Sequence, residues 1–186
     1  NISPSQDIPV IVKWNDLRRL ETRQWGFIPC WTKKFKPIIN ARAETVTEKP
    51  AFSQAFRKRR CLIPSSGFFE WAKINGEKHP YFISLKNKNP MAFAGLWEEW
   101  FSPEGRIIKS CAILTVGANS YLQFIHHRMP VILTPESGMN WLNQDETEAS
   151  LQNLLKPFKS ENMEAWRVTR KVNLASFDNP NCLEKL

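Results

Sequence analysis

The sequence is poor in the residues that would staple or metallate a fold. Its four cysteines, Cys30, Cys61, Cys111 and Cys182, are widely scattered, and none sits in a C-x-x-C pair. With only three histidines, zinc-type ligand spacing is absent, and no metal is expected. A disulfide framework does not suit a chain of this size, which favours a reducing cytosol or nucleus. Each cysteine then reads as a small buried apolar residue. No apolar run approaches the roughly 20 residues of a membrane span. Nor is there a Gly-rich phosphate loop, a serine nucleophile elbow, a paired-carboxylate glycosidase signature or an internal repeat. No signal peptide is visible, although the chain starts at Asn1 rather than Met.

What is present fits one domain spanning residues 1–186, long enough to bury a real core. Subtracting 18 acidic from 26 basic residues leaves a formal charge of +8. Basic residues cluster at Lys33, Lys34 and Lys36, and again at Arg57, Lys58, Arg59 and Arg60. Such a chain, with aromatic rings beside its basic stretches, suits a polyanion, and single-stranded nucleic acid adds stacking. A solvated basic helix face would have the same composition.

The pattern predicts many strands and few helices. Ile8 to Trp14 is a β-branched run. Trp25 to Pro37 has the Gly and Pro punctuation of an ordered loop. Pro50 to Arg60 suits a short helix, with arginines closing its last turn against the helix dipole. Strands follow at Cys61 to Pro64, Phe68 to Ile74 and Tyr81 to Leu85, the last two joined by the hairpin signal Asn75-Gly76. Met91 to Trp100 and Ile107 to Val116 form a second hairpin, and Met129 to Leu133 one more strand. Pro135 to Leu142 and Thr147 to Leu155 read as helical, and Glu164 to Thr169 as extended. Strands and helices do not alternate one for one, so the class is α+β: a mostly antiparallel, barrel-like sheet with short flanking helices.

Three polar residues stand out against apolar neighbours. Asn40 follows Pro37, Ile38 and Ile39. Glu70 sits inside Gly67-Phe68-Phe69-Glu70-Trp71, where aromatic surroundings would desolvate its charged form and raise its pKa, as a general acid requires. An outward-facing strand residue would give the same spacing. His126 lies in Ile125-His126-His127-Arg128-Met129-Pro130, where imidazole and guanidinium can both donate to phosphate oxygens. A structural histidine at a strand entrance reads the same way.

These segments resemble the SRAP family, the SOS response-associated peptidases. The matches are W-G-F-I-P at Trp25 to Pro29, I-N-A-R-A-E-T at Ile39 to Thr45, R-R-C-L-I-P at Arg59 to Pro64 and G-F-F-E-W at Gly67 to Trp71. A-G-L-W at Ala94 to Trp97, I-H-H-R-M-P at Ile125 to Pro130 and V-T-R-K-V-N at Val168 to Asn173 complete the set, in the family's order. The resemblance implies an abasic-site sensor that captures the ring-opened aldehyde on an N-terminal cysteine as a thiazolidine. It would make Glu70 the acid/base, let His126 hydrogen-bond the sugar oxygen or flanking phosphate, and have Asn40 hold the N-terminal residue. Arg42 and Arg128 match positions that grip the DNA backbone, and Trp31 falls where the family has an aromatic beside the DNA groove.

Members of the family begin with C-G-R, whereas Asn1-Ile2-Ser3-Pro4 resembles a segment a few dozen residues further in. Either a piece carrying the cysteine precedes Asn1, or the nucleophile has been lost. None of the four internal cysteines can replace it, because a thiazolidine needs a free amine and thiol on one residue. The expected partner is single-stranded DNA with abasic sites, bound by a cytoplasmic monomer (nucleoid-associated in a bacterium) without a cofactor. A thiol (auto)peptidase and a non-catalytic single-stranded DNA-binding module are the alternatives.

Overall fold

The structure is a computed structural model that describes residues 1–15 and 17–186. Its main sheet is built from β1 (Asp7–Trp14), β2 (Leu17–Trp25), β3 (Asn40–Arg42), β4 (Arg60–Ser65), β7 (Met91–Phe101), β8 (Ile107–Gly117), β9 (Arg128–Pro130) and β10 (Ile132–Leu133). Following hydrogen-bonded neighbours, β7, β4, β1, β2 and β8 form a closed ring, because β8 pairs with both β2 and β7. A second sheet, ordered β11–β6–β5, holds β5 (Phe68–Ile74), β6 (Glu77–Leu85) and β11 (Met163–Arg167). Three short helices flank them: α1 (Ser53–Lys58), α2 (Pro135–Leu142) and α3 (Glu148–Leu154). The architecture is α+β, barrel-like and mostly antiparallel, with parallel pairings where β8 meets β2 and β3.

Local chemistry explains most of these elements. The β5–β6 hairpin turns at Asn75 (φ 51°) and Gly76 (φ 87°), both in the left-handed region a tight hairpin turn demands. The Thr134 hydroxyl caps α2 by accepting from the Ser137 amide, and Ser137 Oγ accepts from the Thr134 amide in return. Thr147 caps α3 the same way, through the Ser150 amide. Val10, Phe27, Phe56, Leu96, Leu114, Trp141 and their neighbours form one apolar cluster that joins the barrel strands to α1 and α2. A smaller cluster of Phe82, Val168, Val172 and Cys182 lies under the second sheet.

Several expectations change. Pro50 to Arg60 contributes only a six-residue helix, Ser53–Lys58. The strand expected over Met129 to Leu133 is divided: β9 pairs with β8 and β10 with β7. Pro130 has no N–H to continue a ladder, and Val131 bridges the two partners, donating to Leu114 O and accepting from the Ala94 amide. β2, L-R-R-L-E-T-R-Q-W, has no strand-like pattern, yet it pairs with β1 from Asp7↔Gln24 to Trp14↔Leu17. Cys30 is exposed, unlike the other three cysteines. Partial burial, and then Glu98 beside it, push its thiol upward, so it is not an activated nucleophile.

The basic run Arg57–Arg60 is not a free cationic face. Arg57 pairs with Glu148 at 3.1 Å and Arg59 with Glu98 at 2.6 Å. Arg60 is 1% exposed and donates to the carbonyls of Phe56, Arg57, Trp141 and Asn143, closing the C-terminal ends of α1 and α2 together.

Candidate functional site

A cleft of about 1110 Å³ opens where the barrel meets the second sheet. β5 enters it directly after Gly67, where a Cβ would stand 2.2 Å from the Phe82 ring and 2.5 Å from Ile83 O. Only glycine lets the chain pass there, and Glu70 follows three residues later. The cleft is lined by Asn40, Arg42, Glu70, His126 and Arg128, residues that span 88 positions of sequence (128 − 40). Trp31 is not among the lining residues. It stands 64% exposed on the loop that leads to β3, a loop pinned by Trp100 Nε1 donating to Thr32 O at 2.7 Å.

Glu70 retains 26% side-chain exposure, and its Oε1 lies 3.8 Å from His126 Nδ1. Burial raises its pKa, and His126 and the Trp71 amide only partly offset that rise. At 3.8 Å the two groups are close but not hydrogen-bonded to each other. His126 is oriented by its own backbone turn. Its Nδ1 lies 3.2 Å from the donating Arg128 amide and 3.1 Å from Arg128 O, and its ring rests on His127 with centroids 4.4 Å apart. When Nδ1 accepts from the Arg128 amide, the neutral ring carries its proton on Nε2.

Arg128 and Arg42 differ. The Arg128 guanidinium makes a two-pronged bond to Glu44 (2.6 and 2.9 Å) and donates to Thr115 O and Oγ1. That arrangement ties β9 to the 3₁₀ turn Ala43–Thr45 and to β8, and it holds the Glu44 carboxyl below its ordinary pKa. Arg42, one position beyond the buried Ala41, is exposed and makes no ion pair with a described residue. Asn40 is exposed on β3, beside Ile113 of β8, and its side-chain amide has no hydrogen-bond partner among the described residues. Trp71 Nε1 donates to Asn173 Oδ1 at 2.8 Å, so the V-T-R-K-V-N segment closes the far wall. Among the described residues, no group of three or more His, Cys, Asp or Glu side chains gathers as metal ligands would.

Glu44 and Thr115 received no role from sequence reasoning. Glu44 is visible in I-N-A-R-A-E-T, but that spacing alone cannot pair it with an arginine 84 residues away. Thr115 lies in an apolar strand with nothing to mark it.

The SOS response associated peptidase (SRAP) family model matches residues 1–175. The chain belongs to the SRAP family. This SRAP chain is 42% identical to the abasic site processing protein YoqW of Bacillus subtilis (strain 168), over 99% of its own length and 84% of that protein. It is 29% identical to the abasic site processing protein HMCES of Xenopus tropicalis, over 98% of the chain and 64% of that protein. Its fold is shared with a crystal structure of a protein from Bacteroides thetaiotaomicron, with a TM-score of 0.90 and 32% identity. That match covers 98% of this chain and 82% of the other. No helix among the described residues is long and apolar enough to cross a membrane.

Proposed function

We propose that this protein senses abasic sites in single-stranded DNA, with Glu70 as acid/base and His126 as a hydrogen-bonding group for the sugar oxygen or flanking phosphate. The observation that carries this is one pair: a half-buried carboxyl of raised pKa, 3.8 Å from an imidazole, in a cleft rimmed by Arg42, which pairs with no described residue. The names of the YoqW and HMCES relatives support the substrate. The chain folds as a single SRAP domain and acts as a monomer in the cytoplasm, without metal or cofactor.

With the family's cysteine ahead of Asn1, the chemistry is covalent capture. The cysteine α-amine, with a pKa near 8, is partly neutral at physiological pH and attacks the aldehyde carbon of the open sugar. Protonated Glu70 hands its proton to the departing hydroxyl and its carboxylate takes up the proton the nitrogen sheds, so water leaves and a neutral imine forms. The thiol sulfur then adds to the imine carbon, its proton passes to nitrogen, and the thiazolidine ring closes. Asn40 holds the cysteine residue, Arg42 and Arg128 face the DNA backbone, and Trp31 stands beside the strand.

The test is a denaturing gel with an abasic oligonucleotide. The 186-residue chain binds abasic single-stranded DNA but leaves no heat-stable adduct, while a version carrying the processed cysteine leaves one. An adduct from the 186-residue chain would refute the assignment. Binding without an adduct from either version would favour the DNA-binding module, and peptide turnover with no response to abasic DNA the thiol peptidase.

A further inference from the structure

We propose that Tyr81, Phe124 and Tyr121 form an aromatic shelf that seats one nucleobase next to the abasic sugar. This inference rests on the reading of the cleft given above and adds a base-binding subsite to it.

Phe124 is a large apolar side chain left 59% exposed, yet it is held in place. Tyr81 meets it edge-on at 5.8 Å and 88°, and Tyr121 at 6.4 Å and 81°. The Tyr121 hydroxyl accepts the Ala165 amide at 3.1 Å, tying the shelf to β11. Its backbone is equally fixed: Asn119 Oδ1 accepts the Leu122 amide, and the Ile125 and His126 amides both donate to Leu122 O. A single exposed ring is ordinary on a protein surface. Three contiguous rings, one carried on β6, one hydrogen-bonded to β11 and one in a hydrogen-bonded turn, are not.

The position links the shelf to the cleft. Tyr81 is the cross-strand partner of Glu70, so the two side chains leave the hairpin on the same face. Phe124 precedes His126 by two residues in the same closed turn. Tyr81 is therefore one cross-strand step from Glu70, and the shelf lies beside the cleft rather than among the residues that line it.

The occupant follows from the lesion's own chemistry. An abasic sugar leaves its neighbouring base without a stacking partner on one side, and a rigid ring beside the sugar replaces that partner. Every base has a π-face, so the shelf would read no sequence. The chain's charge of +8 and the exposed Arg42 on the same cleft fit a polyanionic strand.

The experiment uses the 186-residue chain and single-stranded oligonucleotides carrying a stable tetrahydrofuran abasic analogue, with 2-aminopurine on one flank or the other. Stacking on the shelf quenches the probe on one flank only. Phe124→Ala abolishes that quenching and weakens binding by about 5- to 150-fold, the range measured for loss of one base–aromatic stack. The salt dependence stays the same, because no cation is lost. Phe124→Trp retains both signals. Phe101→Ala serves as a control: it also removes an exposed ring, but one ten residues (about 33 Å) along β7 from the strand entrance near Gly67. It should change neither signal.

Unchanged affinity and quenching in a folded Phe124→Ala overturn the shelf while leaving the reading of the cleft intact. That would also be the outcome if the shelf took an apolar side chain of a protein partner. Failure of the parent chain to bind abasic or intact strands overturns both.

Discussion

Arg60 and Glu70 are both charged side chains drawn in from solvent, and their surroundings treat them in opposite ways. Around Arg60, four backbone carbonyls from α1, α2 and their ends accept from the guanidinium, which is 1% exposed. Burial pulls its pKa down to about 10, still far above neutrality, so the charge stays on and is fully used. Around Glu70 the walls are apolar, the histidine stands off at 3.8 Å, and the pKa rises. A saturated buried charge welds two helix ends together. An undersaturated one binds its proton more tightly than a solvated carboxyl does.

The largest expected effect lies on the undersaturated side. In a version with the N-terminal cysteine, Glu70→Gln lowers the adduct-forming rate by about 10²–10⁴-fold while binding persists. Single-turnover kinetics on an abasic oligonucleotide measure both, and a full-rate variant would erase the contrast between the two sites. Arg60→Met is next. It strands four carbonyls and should cost about 3 kcal/mol or more in urea unfolding. A loss below about 1 kcal/mol would mean that water replaces the guanidinium, and that Arg60 is no weld.

A third prediction extends the comparison to a second carboxylate, Glu44, which holds the cleft residue Arg128. Glu44 is paired with Arg128 and held low, while Glu70 is buried without a full partner and held high. Glu44→Gln should cost about 0.5–1 kcal/mol near neutral pH, because an exposed carboxylate is screened even in a forked arginine pair. That cost disappears as pH falls through the lowered pKa of Glu44, where the wild-type carboxyl also becomes neutral. Glu70 has the opposite sign. Between the ordinary carboxyl pKa and its raised folded value, the native state binds more protons than the unfolded chain, so stability falls as pH rises through that window. Glu70→Gln removes this slope. Unfolding measured across pH checks both, and slopes of the same sign would show that one of the two environments is misread.

The smallest effect concerns the two arginines of the rim. Arg42→Ala should weaken single-stranded DNA binding and flatten log K against log salt by about 0.7, the loss of one phosphate contact. Arg128→Ala should flatten it less, because Glu44 already neutralises that guanidinium. Equal slopes would mean that phosphate displaces Glu44 on binding.

Much of this molecule is legible from local pattern. Asn75-Gly76 announces its hairpin because only residues tolerant of positive φ make that turn. Glu70 shows itself as a carboxyl among aromatics, and His126 as an imidazole beside arginine at a strand entrance. β2 escapes because barrel pairing, and not side-chain alternation, makes it a strand. Arg23 within it is buried by stacking over Trp97 at 4.1 Å and pairing with Glu21 at 2.6 Å. Arg57–Arg60 mislead for a related reason: a run of positive charge in sequence carries no information about the carbonyls and carboxylates that will meet it.

By itself, then, the chain's order of residues determines the α+β class, the hairpins and the residue types available for chemistry, since these depend on turns, periodicity and neighbours a few positions apart. Only the tertiary structure decides that β8 closes the barrel by pairing with β2, that Arg128 is spent on Glu44, and that His126 comes within 3.8 Å of Glu70. Each of those joins groups tens of residues apart, and their partners are selected by packing, desolvation and hydrogen-bond geometry that no local spacing encodes.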